Sequence, residues 1–171
     1  MSSDKSSKLT IFSNKRNQNE PPIPIIKKKH GKKDLKPAGV FKYFEEICQV
    51  PRPSKKEEKI IAYLKAFGAK HNLETNVDEA GNVLIKKPAT PGKENLQTVI
   101  LQSHIDMVCE KNNDVQHDFL TDPIETEIDG EWLKAKGTTL GADNGIGVAT
   151  ELAILADDSI EHGPLECLFT V

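Results

Sequence analysis

Aromatic residues are scarce, at 5% of a 171-residue chain, and the mean hydropathy is −0.48. No apolar run approaches the roughly 18 residues that span a bilayer, so a soluble protein with no membrane partner is expected. The opening MSSDKSSKLTIFSNKRNQ lacks the apolar stretch of a secretory signal. Asp4 and Glu20, with no helical amphipathicity around them, argue against a transit peptide. Cysteine is limited to Cys48, Cys109 and Cys167, odd in number and far apart. That spacing excludes a disulfide framework and points to free thiols in a reducing compartment. Asn-x-Ser/Thr acceptors are absent as well, and a cytoplasmic location is expected. Neither the phosphate-binding loop ending in Gly-Lys-Ser/Thr nor the dinucleotide fingerprint occurs.

Charge is present but divided. Residues 1–37 hold ten Lys/Arg against three Asp/Glu, a balance of +7; the remainder holds thirteen against twenty-three, a balance of −10. The first segment is poor in large apolar side chains and rich in Lys, Ser, Asn and Pro, too polar to offset the entropy of ordering. It reads as a basic, mostly disordered extension, and residues 38–171 as the folded part. Its densest cluster, KKKHGKK at Lys27–Lys33, could suit a nuclear address or nucleic acid. No aromatics interleave with the lysines to stack on bases, so a solvated extension is the expected reading and nucleic acid is not an expected partner.

From Val40 onward the pattern is that of a folded domain. FKYFEEICQV sets Phe41, Phe44, Ile47 and Cys48 on one helical face. After PRPS, Ser54 with Glu57 reads as a capping box opening a second helix with Ile60, Ile61, Leu64 and Phe67 inward. Strands are expected at Glu74–Val77, Val83–Lys87, Thr98–Gln102 (short, β-branched and of the buried kind) and Leu165–Val171. IETEIDGEWLKAK reads as a hairpin turning at Asp129-Gly130, with Trp132 as a packing anchor, and Asn144–Ala156 as a buried helix. Helices interleaved with strands around a buried strand give α/β architecture.

The residues that could carry chemistry follow the Thr98–Gln102 strand. LQSHIDM places His104 and Asp106 just beyond a strand end, where α/β sheets form ligand crevices. Positions i and i+2 of extended chain share a side, so Asp106 could accept a hydrogen bond from His104 and fix its tautomer. A surface histidine beside a turn aspartate would look the same. In GTTLGADNGIGVA, Asp143 opens a helix among Gly141, Gly145 and Gly147. The dipole favours a carboxylate there, and a plain helix cap would also account for it. Imidazole and carboxylate on rigid backbone are ligands for a divalent metal such as zinc. His30 and His71 are expected in solvent, His117 and His162 in structural hydrogen bonds, and Cys109 as a free thiol near the site.

The run LQSHIDMVCEKNNDVQHDFLTDPIETEIDGEWLKAKGTTLGADNGIGVA resembles the aminoacyl-histidine dipeptidases, or cytosol non-specific dipeptidases, of the aminoacylase/carboxypeptidase-like clan of two-zinc exopeptidases. The resemblance extends from about Val40 to Val171 and includes PRPSKKEE, GNVLIKKPAT and EHGPLECLFTV. It implies a zinc-exopeptidase-like catalytic domain: an α/β mixed sheet flanked by helices, here its N-terminal, truncated part. It implies His104 as a ligand of one zinc, Asp143 as the carboxylate bridging two, and Asp106 as the catalytic-site aspartate that orients His104. It also implies a cis Asp143–Asn144 peptide, two Zn²⁺ (or Co²⁺ or Mn²⁺) per site, an unblocked dipeptide such as Xaa-His as substrate, and a homodimer in full-length form. A Glu-Glu pair, an Asp and a distant His complete the family's site and have no counterpart here; Glu151, Glu161 and Glu166 fall at other positions. The alternative is a catalytically inactive truncated paralogue acting as a binding module.

Overall fold

The computed structural model describes residues 35–171. The expected disorder of the basic extension, its lysine cluster and His30 therefore lie outside the described residues.

Helix α1 (Ala38–Cys48) turns Tyr43, Phe44, Ile47 and Cys48 inward. Helix α2 (Glu58–Lys70) buries Ile60, Leu64 and Phe67. The strands β1 (Glu74–Val77), β2 (Val83–Lys87), β3 (Val99–His104) and β6 (Leu165–Thr170) form one sheet in the order β1-β2-β6-β3. The β1–β2 and β2–β6 pairs are antiparallel, and β3 runs parallel to β6. A separate hairpin joins β4 (Thr126–Asp129) to β5 (Trp132–Ala135), with Asp129 opposite Trp132. Helix α3 (Ala142–Ala156) packs on β3 and against α1.

Strand alternation decides which face is covered. Val83, Ile85 and Lys87 of β2, and Leu165, Cys167 and Phe169 of β6, are buried, while the residues between them are half-exposed. All three helices contribute to the cluster on that buried face. Lys87 is the polar exception. Its Nζ donates to the carbonyls of Ile154 (3.3 Å) and Asp157 (2.8 Å), so its charge sits at the C-terminal end of α3, where a cation is favoured. Phe169 is fully buried on a strand paired on both sides. Phe169→Ala is expected to cost about 3–5 kcal/mol, read from urea unfolding of the 171-residue chain; a loss below about 1 kcal/mol would show that the sheet collapses onto the space.

Four sequence expectations need correction. Ser54 does not cap α2: the helix starts at Glu58 without a side-chain cap bond, because the Ser54 hydroxyl is drawn to a distant aspartate instead. The strand around Thr98–Gln102 is not buried between neighbours. β3 is an outer strand of the sheet, and Ile100 is 62% exposed. Trp132 anchors nothing, being 71% exposed on the hairpin. His71 is not in open solvent either; its ring lies against Phe67, with centroids 4.4 Å apart.

Candidate metal centre

β3 ends at His104, and the chain beyond it is held down by a segment fifty residues upstream. Met107 N donates to Arg52 O (3.0 Å), Ser54 N donates to Met107 O (3.3 Å), and Pro53 and Met107 form a parallel bridge. The short stretch after β3 is thus a fixed ledge rather than a free loop. On it, His104 Nδ1–H donates to Asp106 Oδ1 at 2.8 Å, and the Ser54 hydroxyl donates to Asp106 Oδ2 at 2.5 Å. Asp106 is therefore held from both sides.

The second imidazole nitrogen faces α3. His104 Nε2 lies 3.1 Å from Asp143 Oδ1. Asp143 belongs to the irregular start of that helix: Gly141 is left-handed (φ 67), Asp143 and Asn144 have non-helical dihedrals, and the peptide between them is cis. Regular helix follows, and the Asn144 side chain accepts a bond from Gly147 N at 3.2 Å, so the local cap is Asn144 rather than Asp143. That releases the Asp143 carboxylate, whose side chain is 98% exposed. The structure thus gathers His104, Asp106 and Asp143, separated by up to 39 positions in sequence, into one contiguous set.

The electrostatics follow from these contacts. Burial opposes charge on His104, but the hydrogen bonds and negative charges of Asp143 and Asp106 outweigh it and raise the imidazole's pKa. For Asp106, burial opposes ionisation too. The bonds from Ser54 and His104 prevail, and its carboxyl sits below the ordinary range. With a proton on Nδ1, the Nε2 lone pair points at a carboxylate oxygen 3.1 Å away. Two electron-rich atoms at that distance require positive charge between them, either a second proton or a cation. Ligands about 2.0–2.2 Å from zinc at a tetrahedral angle would stand roughly 3.3–3.6 Å apart, so this pair suits a zinc ion in donor type and needs only a small opening to hold one. Among the described residues, no group of three or more His, Cys, Asp or Glu is arranged to hold a metal ion.

His117 and His162 are engaged elsewhere. His162 N donates to the Thr90 hydroxyl, its Nδ1–H donates to Gly163 O at 2.7 Å, and His117 packs edge-on against Phe119. Glu161 is paired with Lys93 at 3.2 Å. None of the three cysteines forms a disulfide. Sequence reasoning missed the part played by Arg52 and Ser54. The available signal was the pair of prolines, Pro51 and Pro53, which fix the backbone around a charged residue.

In fold, the chain is similar to solved peptidases. It superposes on aminopeptidase PepT from Bacillus cereus ATCC 10987 with a TM-score of 0.64 at 25% identity, covering 78% of this chain and 36% of that one. More particularly, it is 52% identical over 137 residues to the cytosol non-specific dipeptidase of Escherichia coli (strain K12), a match covering 80% of this chain and 28% of that protein. The crystal structure of aminoacylhistidine dipeptidase from Vibrio alginolyticus matches with a TM-score of 0.80 and 52% identity, over 84% of this chain and 29% of that one. No family model matches the chain. The chain is thus similar in sequence and fold to part of these dipeptidases, and it spans less than a third of the length of either.

Proposed function

We propose that residues 38–171 are the N-terminal part of the catalytic domain of a zinc-dependent dipeptidase, with His104 and Asp143 as metal ligands, Asp143 shared between two ions, and Asp106 as the group that orients His104. The observation that carries this reading is the meeting of His104 Nε2 and Asp143 Oδ1 at 3.1 Å beside the His104–Asp106 pair, in a chain 52% identical to a dipeptidase. Zinc, when bound, supplies Lewis-acid polarisation of a peptide carbonyl and makes water nucleophilic at neutral pH.

The chain's own residues prepare for that. Asp106 holds the proton on Nδ1 of His104, which leaves Nε2 free as a donor and makes the ring more basic. Ser54, by donating to Asp106, keeps that carboxylate ionised and aimed at the imidazole. Asp143 projects its carboxylate into solvent from a helix start whose dipole favours negative charge. A catalytic zinc takes about three protein ligands, so the 171-residue chain unaided is expected to bind zinc weakly and to leave alanyl-histidine intact. The similarity to a cytosol non-specific dipeptidase supports the cytoplasm as its compartment.

The test is a chimera in which residues 38–171 replace the matching stretch of the Escherichia coli dipeptidase. Zinc-dependent hydrolysis of alanyl-histidine by the purified chimera is the expected result. A folded chimera that binds zinc and yet cleaves no dipeptide would overturn the proposal.

A further inference from the structure

Arg52 is 2% exposed, and the reading above gives it no role. A buried guanidinium needs a partner for its charge or a full set of acceptors. Arg52 takes backbone carbonyls, and their location is informative. Nη1 donates to Ile105 O (3.1 Å) and Asp106 O (3.2 Å), on the ledge that carries His104 and Asp106. Nη2 donates to Gly141 O (2.6 Å), two residues before Asp143. One rigid, planar group therefore spans the two segments that hold the candidate metal ligands.

The surroundings are fitted to it. A Cβ added to Gly141 would stand 2.6 Å from Arg52 Nη2, and one added to Gly145 would stand at the same distance. The glycines that flank Asp143 thus make room for the guanidinium, which answers why the helix start is so bare of side chains. Pro51 and Pro53 restrict the backbone on either side of the arginine. The Arg52 carbonyl is itself tied to Met107 N at 3.0 Å, so the side chain reaches out from an anchored base.

We propose that Arg52 is a positioning residue that sets the separation and mutual orientation of His104 and Asp143, by clamping the chain after β3 to the start of α3. This rests on the metal-site reading above. Lysine could keep the charge at position 52 but not the fork, since an ammonium is a point donor without the planar geometry that reaches two segments at once. Arg52→Lys is therefore the informative variant, and Arg52→Gln serves if the lysine variant folds poorly.

Two measurements on the full chain decide. The first is Co²⁺ binding, followed by the visible absorption of the metal. The second needs no metal: the ring-nitrogen shifts of His104, from proton–nitrogen correlation, report its contacts with Asp106 and Asp143. The expected result is a variant with unchanged far-ultraviolet circular dichroism, cobalt affinity lower by roughly 10–100-fold, the loss typical of removing an outer support of a metal ligand, and displaced His104 ring shifts. Native cobalt affinity and native ring shifts in a folded variant would overturn the proposal. If the unaltered chain binds no cobalt, the metal-site reading falls, and the ring shifts alone judge Arg52: moved, they sustain the clamp; unmoved, they refute it.

Discussion

Zinc binding by the 171-residue chain is expected to disappear in His104→Ala and in Asp143→Ala, and to weaken by roughly 10–100-fold in Asp106→Asn. The ranking follows from distance to the proposed ion. His104 Nε2 and Asp143 Oδ1 are the atoms that face each other across the site, so deleting either leaves a single donor. Asp106 touches only the far nitrogen of the ring; its amide variant can still contact Nδ1 but no longer supplies the charge that strengthens the imidazole as a donor. Competition with a chromophoric chelator gives the affinities directly. In the chimera, hydrolysis of alanyl-histidine should fall in the same order. Equal affinity of the native chain and Asp143→Ala would remove the carboxylate from the site, and a more severe loss in Asp106→Asn than in His104→Ala would reverse the assignment.

Glu151→Gln is expected to stabilise the protein above neutral pH by about 3 kcal/mol. Glu151 lies on α3 with 4% of its surface exposed, and its Oε2 has no hydrogen-bond partner among the described residues. Burial pushes its carboxyl up to about 7 from 4.5, and the polar side chains of Ser103 and Cys167 beside it offset only part of that. The Cys167 thiol in turn is pushed up to about 12, by burial first and then by Glu151. A folded-state value above the unfolded one means that the protonated acid is the form the fold accepts. Its contribution is fully present below about pH 4.5 and is lost as pH rises through about 7, where the folded chain must bury a charge. Glutamine cannot ionise, so the two proteins should diverge across that window. Urea unfolding at pH 4.5 and pH 8 measures the difference. At pH 8 the melting temperature should rise by roughly 6–12 °C. Parallel loss of stability in both proteins between those pH values would refute the role of Glu151.

Local pattern carried much of the fold. β1, β2, β6 and the hairpin were legible, because alternation and turn chemistry are short-range properties, although the two-residue turn is Gly130-Glu131, one position later than expected, since Asp129 still pairs with Trp132. Misreadings occurred where a distant partner decides. Ser54 and Glu57 have the spacing of a capping box, but Asp106, far along the chain, claims the hydroxyl. Val99 and Ile100 are β-branched in the manner of a buried strand; which strand lies beside them is a matter of sheet order, and that order places β3 outermost. At the candidate site, His104 and Asp106 could be paired on paper by the two-residue period of extended chain. Asp143 could be suspected from its glycines. For Arg52 the two flanking prolines gave only a hint, since nothing in PRPS says that its acceptors are carbonyls at 105, 106 and 141.

The position of β6 has a consequence for how the chain comes together. It follows both β2 and β3 in sequence but sits between them, and it is the strand that joins the two. Val83 must wait for Phe169, and Val99 for Leu165, before either ladder can zip. Such distant pairings are reached slowly, and a chain emerging from the ribosome would leave β3 unjoined to β1 and β2 until β6 is released. Assembly of the sheet therefore waits on an insertion from the middle, which adds the bond from Ile105 N to Thr170 O (2.8 Å) to the hold that Arg52 and Ser54 already have on the ledge.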